Sequence, residues 1–111
     1  MKSNLIKLSM TLGLLLVLLI IPQLVKGASS DDLLYSISGG EVRITGCNSL
    51  ATGYLTIPDE IKGYPVTSIG NNAFQYRSAI TGVRIPDTVT TIGDSAFWCC
   101  TGIENLNLPD N

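Results

Sequence analysis

The stretch VTSIGNNAF at residues 66–74 returns twenty-three positions later as VTTIGDSAF at residues 89–97. Copying at a fixed period of this length is typical of a repeat architecture, in which neighbouring units stack to bury a common core. Over residues 66–88 and 89–111 the two copies share nine identities: Val66/Val89, Thr67/Thr90, Ile69/Ile92, Gly70/Gly93, Ala73/Ala96, Phe74/Phe97, Ile80/Ile103, Pro86/Pro109 and Asp87/Asp110. These are mostly apolar, glycine or proline residues, which set a core and its corners. We therefore predict a β-rich solenoid.

Each copy contains a segment that alternates apolar and polar residues and ends at proline, which is the pattern of a short strand. The segments are YLTIP at 54–58, GVRIP at 82–86 and NLNLP at 105–109. The alternation predicts inward side chains at Leu55, Ile57, Val83, Ile85, Leu106 and Leu108. The upstream copy has five extra residues at 61–65, which are rich in turn formers and are predicted to bulge out of the coil. Phe74 and Phe97 are predicted to fill the other side, from a tight or short helical segment.

Residues 28–54 differ from the repeats. They include DDLLYSISGGEVRITG at 31–46, where apolar residues alternate on both sides of Gly39-Gly40, and the paired glycines supply the positive φ of a hairpin turn. Terminal units of repeat proteins are usually atypical. We predict a capping hairpin at 28–54, followed at 55–111 by two to two and a half repeats of about 23 residues.

The first 27 residues have the features of a secretory signal peptide. Lys2 and Lys7 precede an uncharged apolar run of fourteen residues at 8–21, and Gly27 supplies a small residue at the cleavage point. A membrane anchor is the alternative, but a span needs about 20 apolar residues and Pro22 ends this run early. We predict cleavage between Gly27 and Ala28, and hence a secreted protein that is not held in a membrane.

The remaining chain is acidic. All nine acidic side chains lie after residue 27, against the four basic ones Arg43, Lys62, Arg77 and Arg84, which gives a net charge of −5. A negative surface argues against a nucleic-acid partner and against docking on anionic lipid. The simplest interpretation of the charge is solubility.

The chain contains no histidine, which removes Ser-His-Asp and Cys-His catalysis and the commonest transition-metal ligand. The adjacent carboxylates Asp31-Asp32 and Asp59-Glu60 point to opposite faces of an extended strand, so they do not converge on one substrate atom. No phosphate-binding glycine motif occurs. We therefore predict a protein without catalytic residues, cofactor or metal.

The three cysteines are the chemical oddity. The repeat register predicts that Cys100 points into the coil as a small apolar thiol and that Cys99 points outward. In an oxidising compartment, pairing of Cys99 with Cys47 and pairing with another molecule both remain open, and the odd number leaves one thiol over.

The pattern L-x-I-P, a spacer, V-T-x-I-G-x-x-A-F, a cysteine at Cys100 and then L-x-L-P resembles the BspA-type leucine-rich repeat family of secreted and surface proteins. The resemblance covers nearly all of residues 33–111. It implies a right-handed solenoid of short strands and irregular connections that binds other macromolecules, host or matrix proteins among them.

Recognition by such a protein rests on exposed residues that the fold does not need. The candidates are three outward strand residues and three aromatic side chains: Thr56, Arg84, Asn107, Tyr64, Tyr76 and Trp98. We expect a non-enzymatic module for adhesion-type binding of an extracellular protein or glycan. The alternative is a truncated fragment or self-associating unit of a longer repeat protein, because the strand at 106–108 leaves an edge that a second copy can pair with to form a homodimer.

Overall fold

The computed structural model describes residues 27–110. The predicted signal peptide therefore lies outside the described residues, apart from Gly27. Within the described part, no helix is long and apolar enough to cross a membrane. A 3₁₀ turn at Ser30–Asp32 precedes the strands β1 (Leu33–Ser38), β2 (Glu41–Cys47), β3 (Gly53–Thr56), β4 (Glu60–Ile61), β5 (Tyr64–Ile69), β6 (Ile80–Arg84), β7 (Thr91–Ile92) and β8 (Asn105–Asn107).

The first sheet begins with the predicted hairpin. β1 and β2 pair antiparallel around Gly39 and Gly40, whose φ angles of 59° and 79° are those that glycine adopts without steric cost. β2 then pairs with β5, and β5 with β7, both in parallel. β5 and β7 come from the repeated V-T-x-I segment, whose pattern did not predict a strand.

The second sheet contains the three predicted strands in parallel order β3-β6-β8. Its register places Leu55 beside Val83 and Val83 beside Leu106, so equivalent positions of successive copies are neighbours. The strands end before the prolines. One further hydrogen bond continues each pairing past the strand ends. Ile57 N–H donates to the Arg84 carbonyl at 3.0 Å, and Ile85 N–H donates to the Asn107 carbonyl at 2.9 Å.

The five inserted residues, 61–65, form most of a hairpin. This hairpin agrees with the protrusion that their composition predicted. β4 pairs antiparallel with the start of β5, with Glu60 opposite Pro65 and Ile61 opposite Tyr64. Lys62 and Gly63 make the turn with φ angles of 53° and 83°. Because the extra residues fold back on themselves, β5 still reaches its parallel partners.

A corner of consecutive turns, not a helix, carries the repeated phenylalanines. Phe74 is 1% exposed and its ring stacks on that of Phe97, with centroids 5.0 Å apart. Left-handed residues recur here at the repeat spacing, with Asn72 equivalent to Ser95 and Tyr76 equivalent to Cys99. Their φ angles of 57–62° are uncommon for residues with a side chain, so the corner is held in place by its neighbours.

The core consists of apolar side chains from both sheets and the corners: Leu33, Val42, Ile44, Cys47, Ala51, Leu55, Ile57, Val66, Ile69, Ala73, Phe74, Ile80, Val83, Ile85, Val89 and Ala96. Four of the six predicted inward strand residues are in it. Leu106 and Leu108 are not, being 43% and 54% exposed. No strand follows β8 within residues 27–110, so nothing covers their outer side.

The register provides a matched test of this packing. Leu55 is fully buried, whereas Leu106 occupies the equivalent position two strands away and is 43% exposed. Leu55→Ala should lower the free energy of unfolding by about 2–5 kcal/mol, the usual cost of emptying a buried leucine site. Leu106→Ala should cost less than about 1 kcal/mol, because little apolar area is lost from the interior. Urea denaturation measures both, and equal losses would contradict the packing described here.

Candidate binding surfaces

The outer face of the second sheet holds the three predicted strand candidates. Thr56, Arg84 and Asn107 are consecutive partners in the register of β3, β6 and β8, and all three side chains are exposed. They form one row across the sheet, because equivalent outward positions of parallel strands lie side by side. We call this surface, together with the residues beside it, the row face.

Tyr54 also lies on the row face, although it is not among the predicted candidates. It precedes Thr56 by two positions, so strand alternation puts both side chains on one side, and Tyr54 is 46% exposed. Its ring lies over Gly82, where an added Cβ would come within 2.5 Å of Tyr54 Cδ2. The absence of a side chain at Gly82 therefore lets the ring rest on the backbone of β6. Alternation in YLTIP was the signal that could have identified this position, because it puts Tyr54 on the same face as Thr56.

A groove of about 380 Å³ runs along the end of the row face. Its walls include Thr56, Asp59, Arg84 and Thr88. Within residues 27–110 the Arg84 side chain makes no hydrogen bond or ion pair, so its guanidinium donors face solvent. The groove thus combines cationic donors with carboxylate and hydroxyl acceptors.

Two of the three predicted aromatic candidates form a pair. Tyr76 and Trp98 are 59% and 53% exposed, and their rings meet edge to face with centroids 5.2 Å apart. The Tyr76 N–H donates to the Trp98 carbonyl at 2.9 Å, which joins the two corners. The rings contact each other at the surface and are absent from the core, so the pair presents aromatic area to solvent.

Tyr64 is 43% exposed and lies apart from that pair, at the start of β5 in the inserted hairpin. The structure therefore divides the six predicted candidates among three places: the row face, the Tyr76–Trp98 pair and the hairpin. Solvent reaches all six side chains.

The three cysteines are free thiols in the structure. Cys47 is buried, and burial raises the pKa of its thiol, although the Arg77 guanidinium opposes that rise. Burial likewise raises the pKa of the Cys100 thiol, whose Sγ donates to the Phe74 carbonyl at 2.8 Å. Cys100 packs against the core, as predicted, and Cys99 takes the left-handed corner position. Raised pKa values keep Cys47 and Cys100 protonated at neutral pH, which suits a packing role.

The outer face of the first sheet is polar. Arg43 Nε donates to Ser68 Oγ at 3.3 Å, in a groove whose other walls include Thr45, Asn71 and Thr91.

Across residues 27–110, no three histidine, cysteine, aspartate or glutamate side chains converge as a metal site would require.

Comparison with known proteins gives a consistent result. A family model described as a BspA-type leucine-rich repeat region of six copies matches residues 46–111. A leucine-rich repeat protein from T. pallidum is similar in structure, with a TM-score of 0.68 and 28% identity, over 77% of this chain and 40% of that one. One from Bacteroides capillosus has a TM-score of 0.66 and 32% identity, over 72% of this chain and 63% of that one.

A third leucine-rich repeat protein, from Bacteroides ovatus, has a TM-score of 0.64 and 36% identity, over 72% of this chain and 23% of the other. The chain thus spans less than two thirds of each of these three structures. No curated protein matches significantly.

Proposed function

The chain belongs to the family of proteins with BspA-type leucine-rich repeats, and from this premise we propose that it is a non-enzymatic binding module for a protein outside the cell. Leucine-rich repeat surfaces are suited to protein recognition because stacked units present a continuous array of outward side chains. The missing histidine, which removes the commonest catalytic constellations, supports a binding role. Adhesion is the proposed setting, with the protein secreted after removal of residues 1–27.

We also propose the finer architecture that the repeats imply. Residues 55–111 form a right-handed solenoid of two to two and a half repeats, and residues 28–54 form its N-terminal cap. The parallel pairing at both sheets, with β1 antiparallel at one end, supports this proposal. The repeat register does so too, because it makes equivalent residues of successive copies neighbours.

The observation that carries the function is the Tyr76–Trp98 pair. Aromatic side chains, tryptophan and tyrosine above all, dominate the energetics of protein interfaces, and they do so when they fill pockets on the partner. Here two such rings stand more than half exposed on neighbouring corners. Edge-to-face contact limits their rotation before a partner arrives, which lowers the entropy cost of binding. This pair is therefore the proposed anchor for a protein partner.

Trp98→Ala should weaken binding to an extracellular protein about 30-fold or more, the scale of an interface hot spot. The measurement is biolayer interferometry of the protein, purified from a secreting host, against immobilised extracellular-matrix proteins. Tyr64→Ala is the matched control, because Tyr64 is also an exposed aromatic residue but lies on the inserted hairpin.

Tyr64→Ala should change the affinity less than about threefold, as expected outside a hot spot. Both variants should retain the parent melting temperature to within a few degrees, since neither side chain is in the core. A matrix protein that binds Trp98→Ala as tightly as the parent would contradict the anchor.

A glycan is the second candidate partner, and the row face favours it. A saccharide presents an apolar C–H face, which packs against an exposed ring such as Tyr54, and hydroxyls that pair with planar polar groups. Arg84 and Asn107 supply donors and acceptors on the same face of the sheet, and Asp59 lines the groove at its end. The mixed charge of Arg84 and Asp59 favours a neutral sugar over a sulphated one.

Arg84→Gln should weaken binding of a neutral oligosaccharide about tenfold or more, the scale of losing hydrogen bonds from a charged donor. Amide chemical-shift titration with hexose and N-acetylhexosamine oligosaccharides measures it. Arg43→Gln is the control, an exposed arginine on the other sheet, and should leave the affinity unchanged. Shifts that cluster at Trp98, or that survive Arg84→Gln, would contradict the row face as a glycan site.

The sequence-based alternative remains a proposal too, namely a unit of a longer repeat protein or one that self-associates through β8. The exposed Leu106 and Leu108 support it, because a further coil or a second copy would cover them.

A further inference from the structure

A second open edge, besides that of β8, lies at the β1 end of the first sheet. β1 pairs with β2 along one side, and no strand pairs with its other side within residues 27–110. It is six residues long, against three for β8. An unpaired row of backbone N–H and C=O groups of this length is a template for another strand.

The composition of β1 leaves this edge unprotected. Natural edge strands are usually guarded by charged residues, by proline or by a bulge. The sequence LLYSIS at Leu33–Ser38 contains neither a charge nor a proline, and its one irregularity lies between Leu34 and Tyr35, near its start. Tyr35 to Ser38 therefore form a regular edge.

The hairpin fixes which backbone groups face outward. In a two-residue hairpin the flanking pair, here Ser38 and Glu41, is hydrogen-bonded, and the bonded pairs then alternate along the ladder. Tyr35 and Ile37 fall at the non-bonded positions, so their N–H and C=O groups point away from β2. Their side chains share one face, where Tyr35 is half-buried and Ile37 is 38% exposed.

We propose that this edge pairs with β1 of a second copy to form a symmetric dimer with a sheet continuous across both subunits. An antiparallel pairing that opposes Tyr35 with Ile37 of the second copy uses the outward backbone groups of both strands and keeps the apolar faces together. Asp31 and Asp32 precede β1, but residues 33–38 carry no charged side chain, so two copies can pair along this strand without like charges opposing each other within it.

The proposal goes beyond partner binding and does not depend on it. The test is sedimentation velocity of the protein purified from a secreting host, over micromolar to millimolar concentrations. The parent should show a reversible monomer–dimer equilibrium. Ile37→Lys should raise the dimer dissociation constant at least tenfold, because two ammonium groups would lie near each other and near desolvated backbone.

The matched control is Leu106→Lys, which places the same charge on an exposed apolar position of the other end strand. It should leave the dissociation constant unchanged. Amide hydrogen exchange supplies a second readout. The N–H groups of Tyr35 and Ile37 should exchange more slowly as the concentration of the parent protein rises, because dimer formation protects them. A parent that stays monomeric, or a dimer that Leu106→Lys disrupts and Ile37→Lys does not, would overturn the proposal.

Discussion

The structure depends on one constraint, which is that a single repeat cannot bury its own apolar face. Each unit satisfies its backbone and its core only through the next one, so hydrogen bonds join residues about one repeat apart. Thr90 N–H donates to the Thr67 carbonyl at 2.9 Å, and Phe74 N–H donates to the Ala96 carbonyl at 2.7 Å. The same spacing stacks Phe74 on Phe97. Identity between copies is therefore a requirement of the packing.

The corner turns show what the constraint imposes locally. A left-handed residue at every fourth position of the corner lets the N–H groups of Asn72, Phe74 and Tyr76 all reach the next copy. Such conformations are unfavourable for residues with a Cβ, so the interactions between copies must offset them. This geometry also brings Tyr76 and Trp98 together, although the two do not occupy equivalent repeat positions. The proposed anchor is a product of the corner.

Sequence periodicity identified the repeat, the hairpin and the second sheet, because each has an apolar pattern or paired glycines of its own. It did not predict β5 and β7, since V-T-x-I is too short and too polar to show alternation. It gave Leu106 and Leu108 an inward direction but not their exposure, because a pattern does not show whether a neighbour covers a side chain. Exposure of Tyr54, Tyr76 and Trp98 depends on contacts between copies, which no single segment encodes.

Amide hydrogen exchange by NMR tests the central claim most directly. The N–H groups of Asn72, Phe74 and Tyr76 donate to carbonyls of the following copy, whereas those of Ser95, Phe97 and Cys99 have no acceptor within residues 27–110. Stacking between copies predicts slow exchange for the first set and fast exchange for the second, even though both occupy similar turns. Equal exchange rates in the two corners would contradict it, because the hydrogen bonds between copies would then not hold the fold together.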